Sequence, residues 1–325
     1  MLGSLLRQLL PGGKARTVSE SPFYYDVGAL TAGQHAKSRE LQLAGYLDYP
    51  VLVHLETITA CNAACDFCPY PTIARKGNRM PDELIEKVID DLTRVPTDLP
   101  FLLAPYKLSD PFLETRLFDI IALVRRKLPG ARVSLITNGA ALTDSKAGEL
   151  ARCNNIAYIN VSLNYCDEVE YEQVMKIPFA RTIDRLTALH ARAVAGEFAF
   201  PIRLTRVSGT RIDDFQWLEW CTDRFPKFGL EIIPRNDWIG DVPNGLVDPR
   251  IPDAPCHRWF DLSIISTGEV AMCCMDSEAK YPKGNVRTEH ALDIYNQPKL
   301  RSLRELLVSR TGAPDPCSRC TYLSR

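Results

Sequence analysis

Residues 51–69 read VLVHLETITACNAACDFCP, and this stretch decides what kind of fold the chain makes. Its first half, VLVHLETI, is a short apolar run of strand length. Its second half places Cys61, Cys65 and Cys68 in a C-x3-C-x2-C loop that leaves the C-terminal end of that strand. A structural zinc site takes four protein ligands. The next cysteine is Cys153, and none of the five histidines completes a zinc spacing with the loop. The loop therefore offers three close thiols and no fourth.

Working outward, the strand rhythm repeats. FLLAPY, RVSLITNG, IAYINVSLN, PIRLTRV and LEIIPR read as further strands. The segments between them carry apolar residues at helical spacing, among them Ile85, Val88, Ile89, Leu92 and Val95. LFDIIALVRRKL, FARTIDRLTALHARAV and DDFQWLEWCTDRF show the same period, and Pro81 stands where a first helical residue is tolerated. Six strand–helix alternations predict parallel strands with right-handed crossovers, hence an open sheet or a partial barrel over residues 51–236. In such folds the loops at the C-terminal ends of the strands form the active face. Residues 1–50 form an N-terminal extension, expected on the outside or bottom of the barrel. From 237 to 325 the rhythm stops. A Pro- and Gly-rich linker, GDVPNGLVDPRIPDAP, leads to a hairpin (LSIISTGEVAMCC) and two short helices.

Composition narrows the function classes. The 325 residues are 46% hydrophobic, enough for a full-sized core. Lys plus Arg number 39 against 40 Asp plus Glu, so the net charge of -1 gives no electrostatic footprint for nucleic acid. No apolar run is long enough for a membrane span, and MLGSLLRQLLPGG lacks a signal-peptide cleavage site. A cytoplasmic protein is expected. There eleven cysteines mean metal or catalysis rather than disulfides, and their odd number agrees.

Thiolates are the usual ligands of iron-sulfur clusters, and three of them on a four-iron cube leave one iron open to a small molecule. The stretch ETITACNAACDFCP resembles the radical SAM signature in its C-x3-C-x2-C spacing, in Phe67 before the third cysteine and in Asn62 after the first. The resemblance implies a partial (β/α)6 TIM-like barrel. It also implies a [4Fe-4S] cluster on Cys61, Cys65 and Cys68 whose open iron is chelated by S-adenosylmethionine. An electron from the cluster then yields a 5'-deoxyadenosyl radical that abstracts a hydrogen atom from substrate. A flavodoxin- or ferredoxin-type reductant is implied as partner.

Other positions carry the likeness further. LSDPFLE stands where the family has a Gly-Gly-Glu-Pro stretch, aligning Ser109, Asp110 and Pro111, so Asp110 is the candidate acceptor for the methionine ammonium. Thr137, Asn138 and Gly139 match at the end of the third strand. Ser162 and Asn164 resemble polar positions that contact the ribose or carboxylate. On the fifth strand Arg203 resembles the basic residue used on the carboxylate, with Arg206 on the opposite face as alternative. His54 and Glu56 share one face of the first strand, as a site pair or as a buried structural pair.

The tail CHRWFDLSIISTGEVAMCC, followed by Gly284-Asn285 and CSRC, resembles the SPASM or twitch extension in its shorter, one-cluster form. Its ligands would be Cys256, Cys273, Cys317 and Cys320, with Cys274 the alternative to Cys273, since neighbouring strand residues face opposite ways. On spacing alone, four-cysteine zinc would be the favoured occupant of this tail, a preference that the three-cysteine loop reverses. Cys153, Cys166 and Cys221 read as buried small hydrophobes, although Cys166 follows the fourth strand and would open onto the active face.

The resemblance points to an oxidoreductase acting on a small polar molecule such as an aminocyclitol or sugar, the auxiliary [4Fe-4S] cluster taking the substrate's electron. The alternatives are radical modification of a ribosomal peptide and epimerisation with a thiol hydrogen donor. A non-catalytic cluster protein would explain the altered LSDP stretch but not the intact cysteine loop.

Overall fold

The computed structural model describes residues 26–242 and 248–323. The MLGSLLRQLLPGG stretch and part of the expected linker lie outside them. After helix α1 (Val27–Leu43) come β1 (Leu52–Leu55), α2 (Asp82–Asp91), β2 (Phe101–Ala104), α3 (Leu117–Lys127), β3 (Ala131–Thr137) and α4 (Asp144–Ala151). Then follow β4 (Ile156–Ser162), α5 (Glu168–Met175), α6 (Phe179–Val194), β5 (Ile202–Val207), α7 (Arg211–Arg224) and β6 (Gly229–Ile233). All six strands run parallel in the order 6-5-4-3-2-1. The result is a partial (β/α)6 barrel that does not close.

Alternation along the strands separates its two faces. On β1, Val53 and Leu55 join the core beneath the helices, whereas His54 faces the barrel interior. On β4, Ile159 and Val161 are core, whereas Tyr158, Asn160 and Ser162 point inward. The helices begin where local chemistry lets them. Pro81 caps α2 before an acidic first turn, and Thr210 with Asp213 forms a capping box on α7.

The tail does not stand apart from the barrel. Strand β7 (Asp261–Ile264) pairs in parallel with the other edge of β1, Leu52 opposite Asp261 and Leu55 opposite Ile264. The predicted hairpin follows as β8 (Glu269–Ala271), and β9 (Gly284–Asn285) completes a nine-stranded sheet. The turn between β7 and β8 needs Gly268, whose φ is +98° and whose added Cβ would lie 3.0 Å from Asn285 Oδ1. The two short helices expected in the tail are α8 (Ala291–Tyr295) and α9 (Pro298–Leu306).

Of the N-terminal extension, helix α1 packs against the tail, and Tyr46 after it donates through Oη to the Pro100 carbonyl at the start of β2, at the bottom of the barrel. Leu41 and Tyr46 share a small core with Trp259, Phe260, Met272 and Leu303. Gln42 Nε2 donates to the Arg304 carbonyl at 2.9 Å, and Tyr295 Oη donates to the Tyr46 carbonyl at 2.8 Å. Among the described residues no helix is long and apolar enough to cross a membrane.

Candidate active site and auxiliary metal centre

The cysteine loop is tied down at its base by Glu56, which is fully buried. Its carboxylate accepts from Arg75 Nε at 3.0 Å, from the backbone N–H groups of Leu108 (3.0 Å) and Ser266 (3.1 Å), and from Thr59 Oγ1 (3.1 Å). Arg75 in turn reaches Glu278 in the tail at 2.9 Å. One carboxylate thus joins the cysteine loop, the loop after β2 and the tail. Of the His54–Glu56 pair, Glu56 takes the structural role and His54 opens onto the cavity.

That cavity encloses about 500 Å³ at the C-terminal ends of the strands, within the range of ligand pockets. Cys61, Cys65 and Cys68 line it, together with Phe67, Ser109, Asp110, Asn138, Ser162 and Asn164. Backbone N–H groups of Ala63 and Tyr70 point at the sulfurs of Cys61 and Cys68, each at 3.5 Å. Asn138 Nδ2 lies 3.8 Å from Cys61 Sγ and 2.8 Å from Asn62 Oδ1, so the TNG turn braces the loop. This turn requires Gly139, with φ at +83° and the Val161 side chain 3.0 Å from any added Cβ. Trp238 Nε1 donates to the Phe67 carbonyl at 3.0 Å, holding the loop from the tail side.

Asp110 faces the cavity with its oxygens already engaged. They accept from Phe112 N (2.9 Å), Thr137 Oγ1 (2.7 Å) and Asn138 N (3.0 Å), tying the loop after β2 to the end of β3. Burial nonetheless pushes its carboxyl above the ordinary range. Beside it, Ser109 Oγ is buried without a partner. Asn164 is likewise engaged, accepting from Val207 N at 2.8 Å through Oδ1 and donating to Met175 Sδ at 3.2 Å.

Three expectations change. Arg203 lies on the inner side of β5 but outside the cavity lining, its guanidinium 5.3 Å above the Tyr158 ring. Nor does Arg206 replace it. That side chain is buried on the helix side, paired with Asp214 at 2.7 Å and donating to the Asn164 carbonyl. Cys166 does not line the cavity, whereas Cys274 does. Of the far wall, the sequence singles out only His54. That wall carries His54, Tyr106, Lys107, Asn160, Glu231 and Arg258, and the nitrogen His54 Nδ1 and the oxygen Asn160 Oδ1 are buried without partners. Only the polar alternation of AYINVSLN hinted at the rest of it.

A second cavity, of about 20 Å³, lies in the tail. Cys256, Cys273, Cys317 and Cys320 all line it, while Cys274 does not; the two neighbouring thiols face different cavities from the turn that follows β8, not from a strand as the sequence suggests. Trp259 Nε1 points at Cys317 Sγ at 3.4 Å. Arg258, Met275 and Tyr322 line both cavities and form the wall between them.

The donor sets fit iron-sulfur clusters. One cavity gathers three thiols and the other four, with N–H groups aimed at sulfur in each. Burial pushes the thiols up, Cys61 and Cys256 to about 12 and Cys68 to about 11. They stay protonated until a metal displaces the proton.

The Radical SAM superfamily pattern matches residues 55–199, and that of the SPASM iron-sulfur cluster-binding domain matches residues 256–321. The S-adenosyl-L-methionine-dependent 2-deoxy-scyllo-inosamine dehydrogenase of Niallia circulans is 21% identical over 281 residues, 84% of this chain and 93% of that one. The solved structure of BtrN in complex with AdoMet and 2-DOIA is 17% identical. It covers 84% of this chain and 98% of its own, with a TM-score of 0.57. Streptococcus suis SuiB bound to precursor peptide SuiA is 13% identical, covers 98% of this chain and 80% of its own, and has a TM-score of 0.63. At such identities the structural likeness speaks to fold, and the matched domains speak to cofactors: a [4Fe-4S] cluster with S-adenosylmethionine in the first, an auxiliary iron-sulfur cluster in the second. With both domains in place around these two thiol-lined cavities, the chain is an enzyme of the radical SAM superfamily.

Proposed function

We propose that the enzyme oxidises a small polar molecule, an aminocyclitol or a sugar, and that the auxiliary cluster is a [4Fe-4S] cube that receives the substrate's electron. The observation that carries this is the shared wall: Cys273 and Cys274 are adjacent in the chain yet serve different cavities, separated by Arg258, Met275 and Tyr322. Cys61, Cys65 and Cys68 hold the first cluster, and Cys256, Cys273, Cys317 and Cys320 hold the second. When bound, the first cluster and S-adenosylmethionine supply the radical that removes a hydrogen atom from the substrate, the reducing electron coming from a flavodoxin- or ferredoxin-type protein.

The chain's own groups orient the two ligands. Ser109 Oγ, Phe67, Asn138 and Ser162, which line the loop end of the cavity, would hold S-adenosylmethionine there. Asp110 and Asn164 act from beneath, holding the loops that present those groups. The far wall, with its unpartnered His54 and Asn160 atoms, receives the hydroxyl and amino groups of the substrate, because a buried polar atom without a partner gains most from a ligand that supplies one. The relative from Niallia circulans, named as a dehydrogenase, favours this reading. Likeness to SuiB keeps peptide modification as a second one.

The test is the double variant Cys256→Ala/Cys317→Ala. It is expected to keep forming 5'-deoxyadenosine while losing oxidised product. If oxidised product persists at the parent rate, the electron-acceptor role is wrong; if the parent itself turns over to an epimerised and not an oxidised product, Cys274, the thiol that faces the large cavity, is the residue to test as hydrogen donor.

A further inference from the structure

Arg310 is fully buried and lines the auxiliary cavity. Its Nη1 lies 4.0 Å from Cys320 Sγ. The other partners of its guanidinium are neutral: the carbonyls of Cys320 (3.3 Å) and Tyr322 (2.7 Å), and Gln34 Oε1 (2.7 Å) on α1. Its Nε is buried with no partner at all. An ionised group in a low-dielectric interior needs a counter-charge or a full set of hydrogen bonds. Arg206 and Arg258 have buried carboxylates at 2.7 and 3.0 Å, whereas Arg310 has thiols.

We infer that Arg310 is the counter-charge of the auxiliary cluster and sets its reduction potential, with α1 holding it in place through Gln34. A cube on four thiolates is net negative, and each one-electron reduction adds a further negative charge. A fixed guanidinium beside one sulfur stabilises the reduced state more than the oxidised one, and so raises the potential. The device suits a cluster that accepts an electron. It also gives the segment before the barrel a function, since α1 supplies the group that fixes the guanidinium. The inference rests on the assignment of Cys256, Cys273, Cys317 and Cys320 as cluster ligands. Arg310 acts here as a positioning residue for charge and does not touch substrate.

The experiment uses full-length protein carrying Cys61→Ala, Cys65→Ala and Cys68→Ala, so that only the tail cluster contributes, titrated anaerobically with potential read by electron paramagnetic resonance. Arg310→Gln is expected to lower the reduction equilibrium constant at least tenfold, about 59 mV for a one-electron couple. Gln34→Glu, which keeps the guanidinium but sets a carboxylate against it, should shift the potential the same way, and Arg310→Lys should restore most of it. Should Arg310→Gln lose iron, Gln34→Glu and Arg310→Lys decide. An unchanged potential in Gln34→Glu with full iron content overturns the inference. Colourless, iron-free triple-alanine protein would instead overturn the ligand assignment itself.

Discussion

His54 offers a quantitative test of how the large cavity is built. It sits on β1, 9% exposed, with Nδ1 unpartnered. Burial, reinforced by the nearby charges of Arg258 and Lys107, lowers its pKa from 6.5 to about 3. Because the folded value lies below the unfolded one, the unfolded chain takes up the proton first. Stability is therefore unaffected well above pH 6.5, falls as the pH drops below it, and goes on falling toward pH 3. One proton of difference corresponds to about 1.36 kcal/mol per pH unit, so between neutral pH and pH 5 this histidine alone removes about 2 kcal/mol. His54→Gln eliminates that term. Urea unfolding of iron-free protein, measured from pH 7.5 to 5 for the parent and for His54→Gln, gives two profiles whose difference isolates His54 from the other histidines. The difference is expected to be flat above pH 7 and to grow by about 2 kcal/mol in favour of the variant by pH 5. Parallel profiles over the whole range would mean that the imidazole is solvated or paired, and that Arg258 and Lys107 do not hold it neutral.

The remaining expectations are more direct. Replacing Cys61, Cys65 and Cys68 with Ala should remove about half of the iron and abolish 5'-deoxyadenosine formation, while the protein stays brown from the tail cluster; iron analysis and chromatography of the products check both. Asp110→Ala strips the acceptor from two backbone N–H groups and one hydroxyl, each costing about 1–3 kcal/mol when left buried, so unfolding should show a loss of at least about 3 kcal/mol. Arg203→Ala, outside the lining, should leave S-adenosylmethionine cleavage within about twofold of the parent, whereas Arg206→Ala should cost about 3–5 kcal/mol of stability by leaving Asp214 buried without the guanidinium.

Much of this was readable because local patterns carry local physics. The cysteine loop, the TNG turn and the β7–β8 hairpin each occupy a few consecutive residues whose spacing is the signal, and each is where the sequence puts it. What escaped depends on distant residues. Asp110 aligns with a ligand-binding acid, but that its oxygens are engaged by Thr137 and Asn138 depends on how β2 and β3 dock. Arg203 and Arg206 follow the strand period, yet Arg203, level with the lining residue Asn160, sits over the Tyr158 ring and outside the lining, a side-chain choice that the period does not carry. The choice between Cys273 and Cys274 needed the second cavity. Helix α1 shows no clear apolar stripe in its sequence, since it binds the tail largely through Gln34 and Gln42.

The pairing of β7 with β1 also bears on how the chain is made. During synthesis β1 is complete at residue 55, but the strand that covers its second edge arrives only with residues 261–264. Until then LVHL presents open backbone groups on an apolar strand, the kind of edge that recruits other chains. Nascent barrels on crowded ribosomes would be exposed to mispairing throughout that interval. A chain cut before residue 261 would keep this liability permanently, so soluble expression is expected to depend on the tail being present even when no iron is supplied.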